Sequence, residues 1–208
     1  MSTVLTVCGS LGDASANRAA LRVVQQALVQ LGASVVDDAQ LPRIPPLDPG
    51  LVDSPAHSVA AFRRQIGEAD AVIIAAPEYA GSLAGSVKNA LDWVVGSGEL
   101  YERPVGILSA GTSGGPFARQ VLAQTLLWQG AYLVAQLGIA APRTKIGLDG
   151  SFDDVATIDA LRAFAASVAA AASAPADELA ARSTAVAASV GVRREADVSR
   201  IRPSAGFG

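Results

Sequence analysis

The unbroken apolar run Ala71-Val72-Ile73-Ile74-Ala75-Ala76, together with the turn residues just beyond it, constrains this chain more than any other feature. Apolar residues without alternation over strand length mark a strand buried on both faces, as in parallel sheets covered by helices. Pro77 lacks an amide hydrogen and ends the ladder. Gly81 and Gly85 let the backbone turn sharply or pass close to something flat. From about Leu83 the apolar residues return at helical spacing, at Val87, Leu91 and Val94, so a helix leads away. Buried strand, loop with bare backbone donors, then helix is the layout of a ligand site at the carboxyl edge of a parallel sheet.

The same unit recurs along the chain. Val4–Cys8 reads as a first buried strand, followed by the loop Gly9–Arg18 and a helix with the stripe Leu21, Val24, Leu28 and Leu31. Gly32 stops that helix, and Ser34–Val36 is a second strand. The segment Asp37–Ser54 carries Pro42, Pro45, Pro46 and Pro49, and a loop of that length is usually functional or faces a partner. Ser54-Pro55 predicts the start of the next helix, whose buried face is Val59, Phe62 and Ile66. Pro104–Ser109 is a fourth strand with Ala110–Gly115 as its exit loop. A helix near Pro116–Gln129, a fifth strand within Tyr132–Ala140 and a helix bearing Ile158, Leu161, Phe164 and Val168 complete the series. The alternation predicts an α/β fold: a doubly wound, five-stranded parallel sheet with helices on both faces. The core is expected within residues 1–174. Residues 175–208 read as a C-terminal extension, an Ala-rich helix to about Val190 and a tail holding Arg193, Arg194, Arg200 and Arg202.

A chain of 208 residues suits one domain. Half of them are hydrophobic, yet no run approaches the roughly 18 apolar residues of a membrane span, so no membrane partner is expected. Met1-Ser2-Thr3 carries no basic region and does not read as a signal peptide. Cys8, the single cysteine, excludes an intramolecular disulfide and suits the cytoplasm. A net charge of −3 argues against a nucleic-acid surface, and one histidine without clustered acids offers no metal-site spacing.

Three strand-exit loops carry the chemistry. In the first, a helix N-terminus offers unpaired amides and a positive dipole end, and Ser10, Ser15 and Asn17 add polar side chains, which together suit a phosphate. The plainer alternative is that Ser15 or Asn17 caps the helix. It is not a P-loop, because the lysine is missing, and Gly9 and Gly12 lack the spacing of a dinucleotide fingerprint. In the second loop Tyr79 supplies an aromatic wall, and Glu78 is either a pocket carboxylate or a cap for the following helix. In the third, Gly111, Gly114 and Gly115 permit close approach to a planar ligand. His57 reads as a solvated surface residue and Cys8 as a small buried hydrophobe; neither converges with a serine in a nucleophile pattern.

Pro77-Glu78-Tyr79-Ala80-Gly81-Ser82 with Lys88-Asn89-Ala90-Leu91-Asp92-Trp93 resembles the P-E-Y-N-G-S…K-N-A-[IL]-D-W segment of the NAD(P)H-dependent FMN reductases, a flavodoxin-like family that includes quinone, azo and chromate reductases. The first loop resembles that family's G-S-L-R-x-x-S-x-N segment, and the third its S-x-[GS]-x-G-G segment. Gly12 stands where the family often has arginine, and Ala80 where it usually has asparagine. The resemblance implies the flavodoxin-like strand order 2-1-3-4-5. It also implies bound FMN, with Ser10, Leu11, Ser15 and Asn17 at the phosphate, Pro77, Glu78, Tyr79, Ala80 and Gly81 along the ring, and Ser109, Gly111 and Gly114 closing its other side. NADPH or NADH would pass hydride to flavin N5, with no catalytic side chain, and a quinone, flavin, azo compound or similar small molecule would accept the electrons. Family members usually form homodimers or homotetramers. Two readings stay beside this one: a flavodoxin-like electron carrier, which would be expected to be far more acidic, and a non-catalytic binding protein on the same fold.

Overall fold

The computed structural model describes residues 1–12 and 14–192. Strands β1 (Thr3–Cys8), β2 (Ser34–Asp37), β3 (Ala71–Ala75), β6 (Pro104–Gly111) and β7 (Tyr132–Ala140) form a parallel sheet in the order β2-β1-β3-β6-β7. In sequence order this is 2-1-3-4-5, as the flavodoxin-like reading requires. A two-stranded antiparallel hairpin, β4 (Glu78–Tyr79) and β5 (Ser82–Leu83), stands apart at the exit of β3.

The unbroken apolar run has a direct structural cause. In β3, Ala71, Ile73 and Ala75 enter one core layer while Val72 and Ile74 enter the other, so both sides of the pleat need apolar side chains. The first layer is roofed by α1 (Ala16–Gln30) and α5 (Val155–Ala171), the second by α2 (His57–Glu68), α3 (Gly85–Asp92) and α4 (Pro116–Trp128). Gly106 explains how α5 comes so close, since a β-carbon there would lie 2.6 Å from Val168 Cγ2 and 2.9 Å from Phe164 Cζ.

Helix α6 (Ala176–Ser189) lies along the edge strand β7, burying Leu179 in the first layer and Ala187 in the second. Its buried Ser183 hydroxyl accepts the Leu133 amide at 3.0 Å, beside the irregularity where Val105 faces Leu133 but Gly106 faces Ala135. An edge amide that water would otherwise satisfy is thereby paired inside the protein. The arginine-containing tail falls in residues 193–208, outside the described residues. Among the described residues no helix is long and apolar enough to cross a membrane.

Two boundaries differ from expectation. Helix α2 begins at His57 with Ala56 as its N-cap, so Ser54 lies two residues too early to cap it and instead ends the preceding turn, its amide bonded to Leu51 O at 3.1 Å. Strand β6 runs on through Ser109 and Gly111, beyond its expected end, because β7 continues to pair it as far as Ala140. The segment between β2 and α2 is not structureless. It contains short 3-10 turns at Leu41–Arg43 and Pro49–Leu51. The buried Asp38 carboxylate accepts the Gln40 and Leu41 amides at 2.9 and 3.0 Å, and burial pushes its pKa up.

Candidate functional site

All strands of the main sheet point the same way, so the exits of β1, β3 and β6 share its carboxyl edge. The chain runs from β1 outward to β2, then returns past β1 to β3, and the crevice between the β1 and β3 exits is the topological switch point.

The first loop is held tightly at its base. Gly9 N donates to Ala75 O at 2.8 Å, and a β-carbon on Gly9 would stand 2.4 Å from Val87 Cγ2. Only glycine lets α3 pack this close to the end of β1. Ser15 is the N-cap of α1, its hydroxyl accepting the Arg18 amide at 3.3 Å. The amides of Ala16 and Asn17, in the first turn, have no partner within the helix. Asn17 is 2 % exposed and its side chain is fully engaged: Oδ1 accepts the Ala110 amide at 2.8 Å, while Nδ2 donates to Ser10 Oγ at 3.2 Å and Ala110 O at 3.4 Å. Asn17 therefore fixes the loop to β6 and leaves its backbone amide, not its side chain, for a ligand. Ser10 is buried against it, while Leu11 is exposed.

The second loop is the hairpin. Ala80 (φ 50°) and Gly81 (φ 68°) are its two turn residues, both left-handed, the conformation that matches the twist of two joined strands. Asparagine tolerates that region better than alanine, so Ala80 carries strain that the family's usual residue would relieve. Tyr79 projects outward, 63 % exposed. Glu78 does not cap the helix next in sequence. Its Oε2 accepts the Phe117 and Ala118 amides at 2.8 and 3.0 Å, at the start of α4.

The third loop explains why that helix needs a distant cap. Its N-cap is Gly115 (φ 61°), which has no side chain to offer, and its first residue is Pro116. A β-carbon on Gly115 would lie 2.0 Å from Ser109 Oγ, so the buried serine occupies the space a larger residue would take. Ser109 Oγ itself has no hydrogen-bond partner among the described residues. Gly114 N closes a turn on Gly111 O at 3.0 Å. The half-buried Arg119 donates to Gly114 O at 3.1 Å and to Gln136, and burial lowers its pKa while Glu78 opposes that shift.

Residues of the K-N-A-L-D-W stretch hold the surroundings in place. Lys88 pairs with Asp92 at 2.6 Å. Asn89 accepts Leu47 N at 2.9 Å and donates to Pro45 O at 2.8 Å, and the buried Trp93 donates its indole N–H to the same carbonyl at 2.8 Å. These two side chains clamp the proline-rich loop to α3. The spacing carried that signal, since Asn89 and Trp93 sit one helical turn apart on one face. Ser86, whose hydroxyl donates to Gly9 O at 3.3 Å, is a link between loops that the sequence did not mark. His57 is exposed at the start of α2. Cys8 is buried, which pushes its thiol pKa up and keeps it unreactive.

Among the described residues, no atom outside the immediate chain neighbours comes within 4 Å of where a β-carbon would sit on Gly12, Gly81 or Gly111. At these three positions the loops face open space. Half-open clefts of about 200 Å³ and 190 Å³ lie elsewhere, between α1 and α5 and beside Arg18, Arg22 and Asp37.

Residues 2–144 match the sequence profile of the NADPH-dependent FMN reductases, more than half the chain and all three loops. The chain belongs to that family. Among curated relatives, an NAD(P)H-dependent FMN reductase of Pseudomonas aeruginosa is 41% identical over 134 residues, covering 60% of this chain and 69% of that protein. A probable NADPH:quinone oxidoreductase of Oryza sativa subsp. japonica is 35% identical over 54% of this chain. This match and those to a second rice protein and a potato one span 57–58% of the relatives' own lengths. Among solved structures, the flavoenzyme NAD(P)H:(acceptor) oxidoreductase FerB of Paracoccus denitrificans superimposes with a TM-score of 0.70 at 25% identity, over 83% of this chain and 97% of that one. The family match ends at Thr144, so α5 and α6 lie beyond it.

Proposed function

We propose that this chain is an FMN-bound oxidoreductase that takes electrons from NADPH or NADH and delivers them to a small acceptor such as a quinone. One observation carries the reading: three strand exits share the sheet's carboxyl edge at its switch point, where a helix N-terminus and two glycine turns lie beside positions that face open space. The donor set fits FMN. First-turn amides of α1, with Ser10, Leu11 and Ser15 around them, suit a phosphate. Backbone of Pro77–Gly81 and of Gly111 and Gly114 suits the edge of a flat polar ring, with Tyr79 as a flanking aromatic, while Ser109 lies buried in β6 behind Gly115. Bound there, FMN would supply the two-electron exchange, a task for which this chain needs no acid, base or nucleophile of its own.

The protein's part is positioning. Asn17 ties the phosphate loop to β6, Glu78 ties the hairpin to α4, and Asn89 with Trp93 holds the proline-rich loop beside them. Such preorganisation keeps the reacting partners near contact distance, where orientation contributes most to rate. The reading includes assembly as a homodimer or homotetramer, supported by the exposed Tyr79, Phe117 and Trp128, and a cytoplasmic setting. It also treats residues 1–174 as the flavin-binding unit and the segment from 175 onward as an addition that covers the sheet edge. Calorimetric titration with FMN and riboflavin tests the phosphate assignment. FMN is expected to bind at least about tenfold tighter, as loss of one charge-assisted contact would give. Equal affinity for the two would contradict it.

A further inference from the structure

The Glu78 carboxylate lies between two of the site's loops, and nothing in the proposed chemistry requires it there. It sits on β4, yet both amides it accepts belong to α4, 39 and 40 residues further on. The helix could not supply this cap locally, because Gly115 has no side chain and Pro116 no amide hydrogen, which leaves the Phe117 and Ala118 amides to be met from outside. A charged acceptor at this position also sits at the positive end of the helix dipole, where an anion is favoured. The third loop leads directly into this helix, so the carboxylate adds a direct hydrogen-bonded link between the hairpin and the Gly111–Gly115 turn, beside the packing of β5 on α4.

Resting on the FMN reading above, we propose that Glu78 is a positioning residue that locks the β4–β5 hairpin to the start of α4 and, by filling the helix's positive end with its own charge, holds down the reduction potential of FMN bound beside it. An uncapped helix N-terminus would favour extra electrons on a neighbouring ring; a carboxylate there cancels that field. Arg119 is the nearby counter-charge, engaged with Gly114 O and Gln136. With Glu78 neutralised, the positive field of Arg119 and of the helix is no longer offset, and both act in the same direction.

Two variants of the full-length protein separate the mechanical and electrostatic parts. Glu78→Gln keeps an oxygen that can accept both amides and removes the charge. Glu78→Ala removes both. FMN affinity, melting temperature and the spectroelectrochemical midpoint potential are measured for each. Glu78→Gln is expected to retain FMN within about threefold and to raise the midpoint potential. Glu78→Ala is expected to melt lower and to weaken FMN about tenfold, the equivalent of one charge-assisted hydrogen bond. An unchanged potential in Glu78→Gln overturns the electrostatic claim, and wild-type FMN affinity in Glu78→Ala overturns the locking claim. If the wild-type protein itself binds no FMN, the functional reading fails and the electrostatic claim with it. The locking claim would then be decided by melting temperature alone, with Glu78→Ala expected below Glu78→Gln and equality refuting it.

Discussion

Removing the Asn17 side chain would leave the nearly buried Ala110 amide and Ser10 hydroxyl without their protein partner. An unsatisfied buried group costs more than a hydrogen bond contributes, so Asn17→Ala is expected to lower unfolding free energy by about 2–3 kcal/mol in urea melts. Ser15→Ala, which loses only a cap, should cost about 1 kcal/mol. Equal losses would mean that Asn17 is not the tie described. Ala80→Asn runs the other way: the left-handed backbone at φ 50° is easier for asparagine, and a gain of up to about 1 kcal/mol is expected by the same assay. The sequence indicated that Ser15 and Asn17 belong to one loop. It did not show that Asn17 spends its amide on β6, because that partner lies 93 residues away. Glu78 was harder still, since a carboxylate near a helix start reads as a local cap and its true partners belong to a helix nearly forty residues later.

At the scale of elements, the buried strands were legible because both faces of the sheet are covered, which leaves apolar runs unbroken. The hairpin β4–β5 was not legible, since two residues per strand leave no alternation to read. The contact between α3 and the end of β1 depends on Gly9, and Gly9→Ala would press a methyl group to 2.4 Å from Val87. Overpacking of that kind costs about 1–3 kcal/mol, visible as a lowered melting temperature. The clamp on the proline-rich loop is milder. Trp93→Phe keeps the buried ring and deletes the indole N–H, so hydrogen exchange at Leu47 should accelerate while the sheet amides are unaffected. Helix α5 adds a pH effect. The Asp154 carboxylate caps it by accepting the Thr157 hydroxyl and amide, bonds that hold its pKa below the usual aspartate value. A depressed carboxyl pKa stabilises the fold at pH above the unfolded value, and that contribution is lost as pH falls through the folded one. Asp154→Asn should therefore flatten the acid limb of the stability profile, and an unchanged limb would contradict the assignment.

For the molecule as a whole, the position of the switch point follows from one property of the chain, the return of β3 past β1. The match of residues 2–144 to the NADPH-dependent FMN reductase family is consistent with the flavin reading proposed for this edge of the sheet. The decisive measurement is the visible spectrum of the purified protein loaded with FMN, recorded under nitrogen before and after NADPH and again after a quinone is added. Loss of the yellow absorbance on NADPH addition without any helper protein, and its return with the quinone, is the predicted result. A protein that takes up no FMN, or whose bound FMN keeps its colour with both NADPH and NADH, would contradict the account.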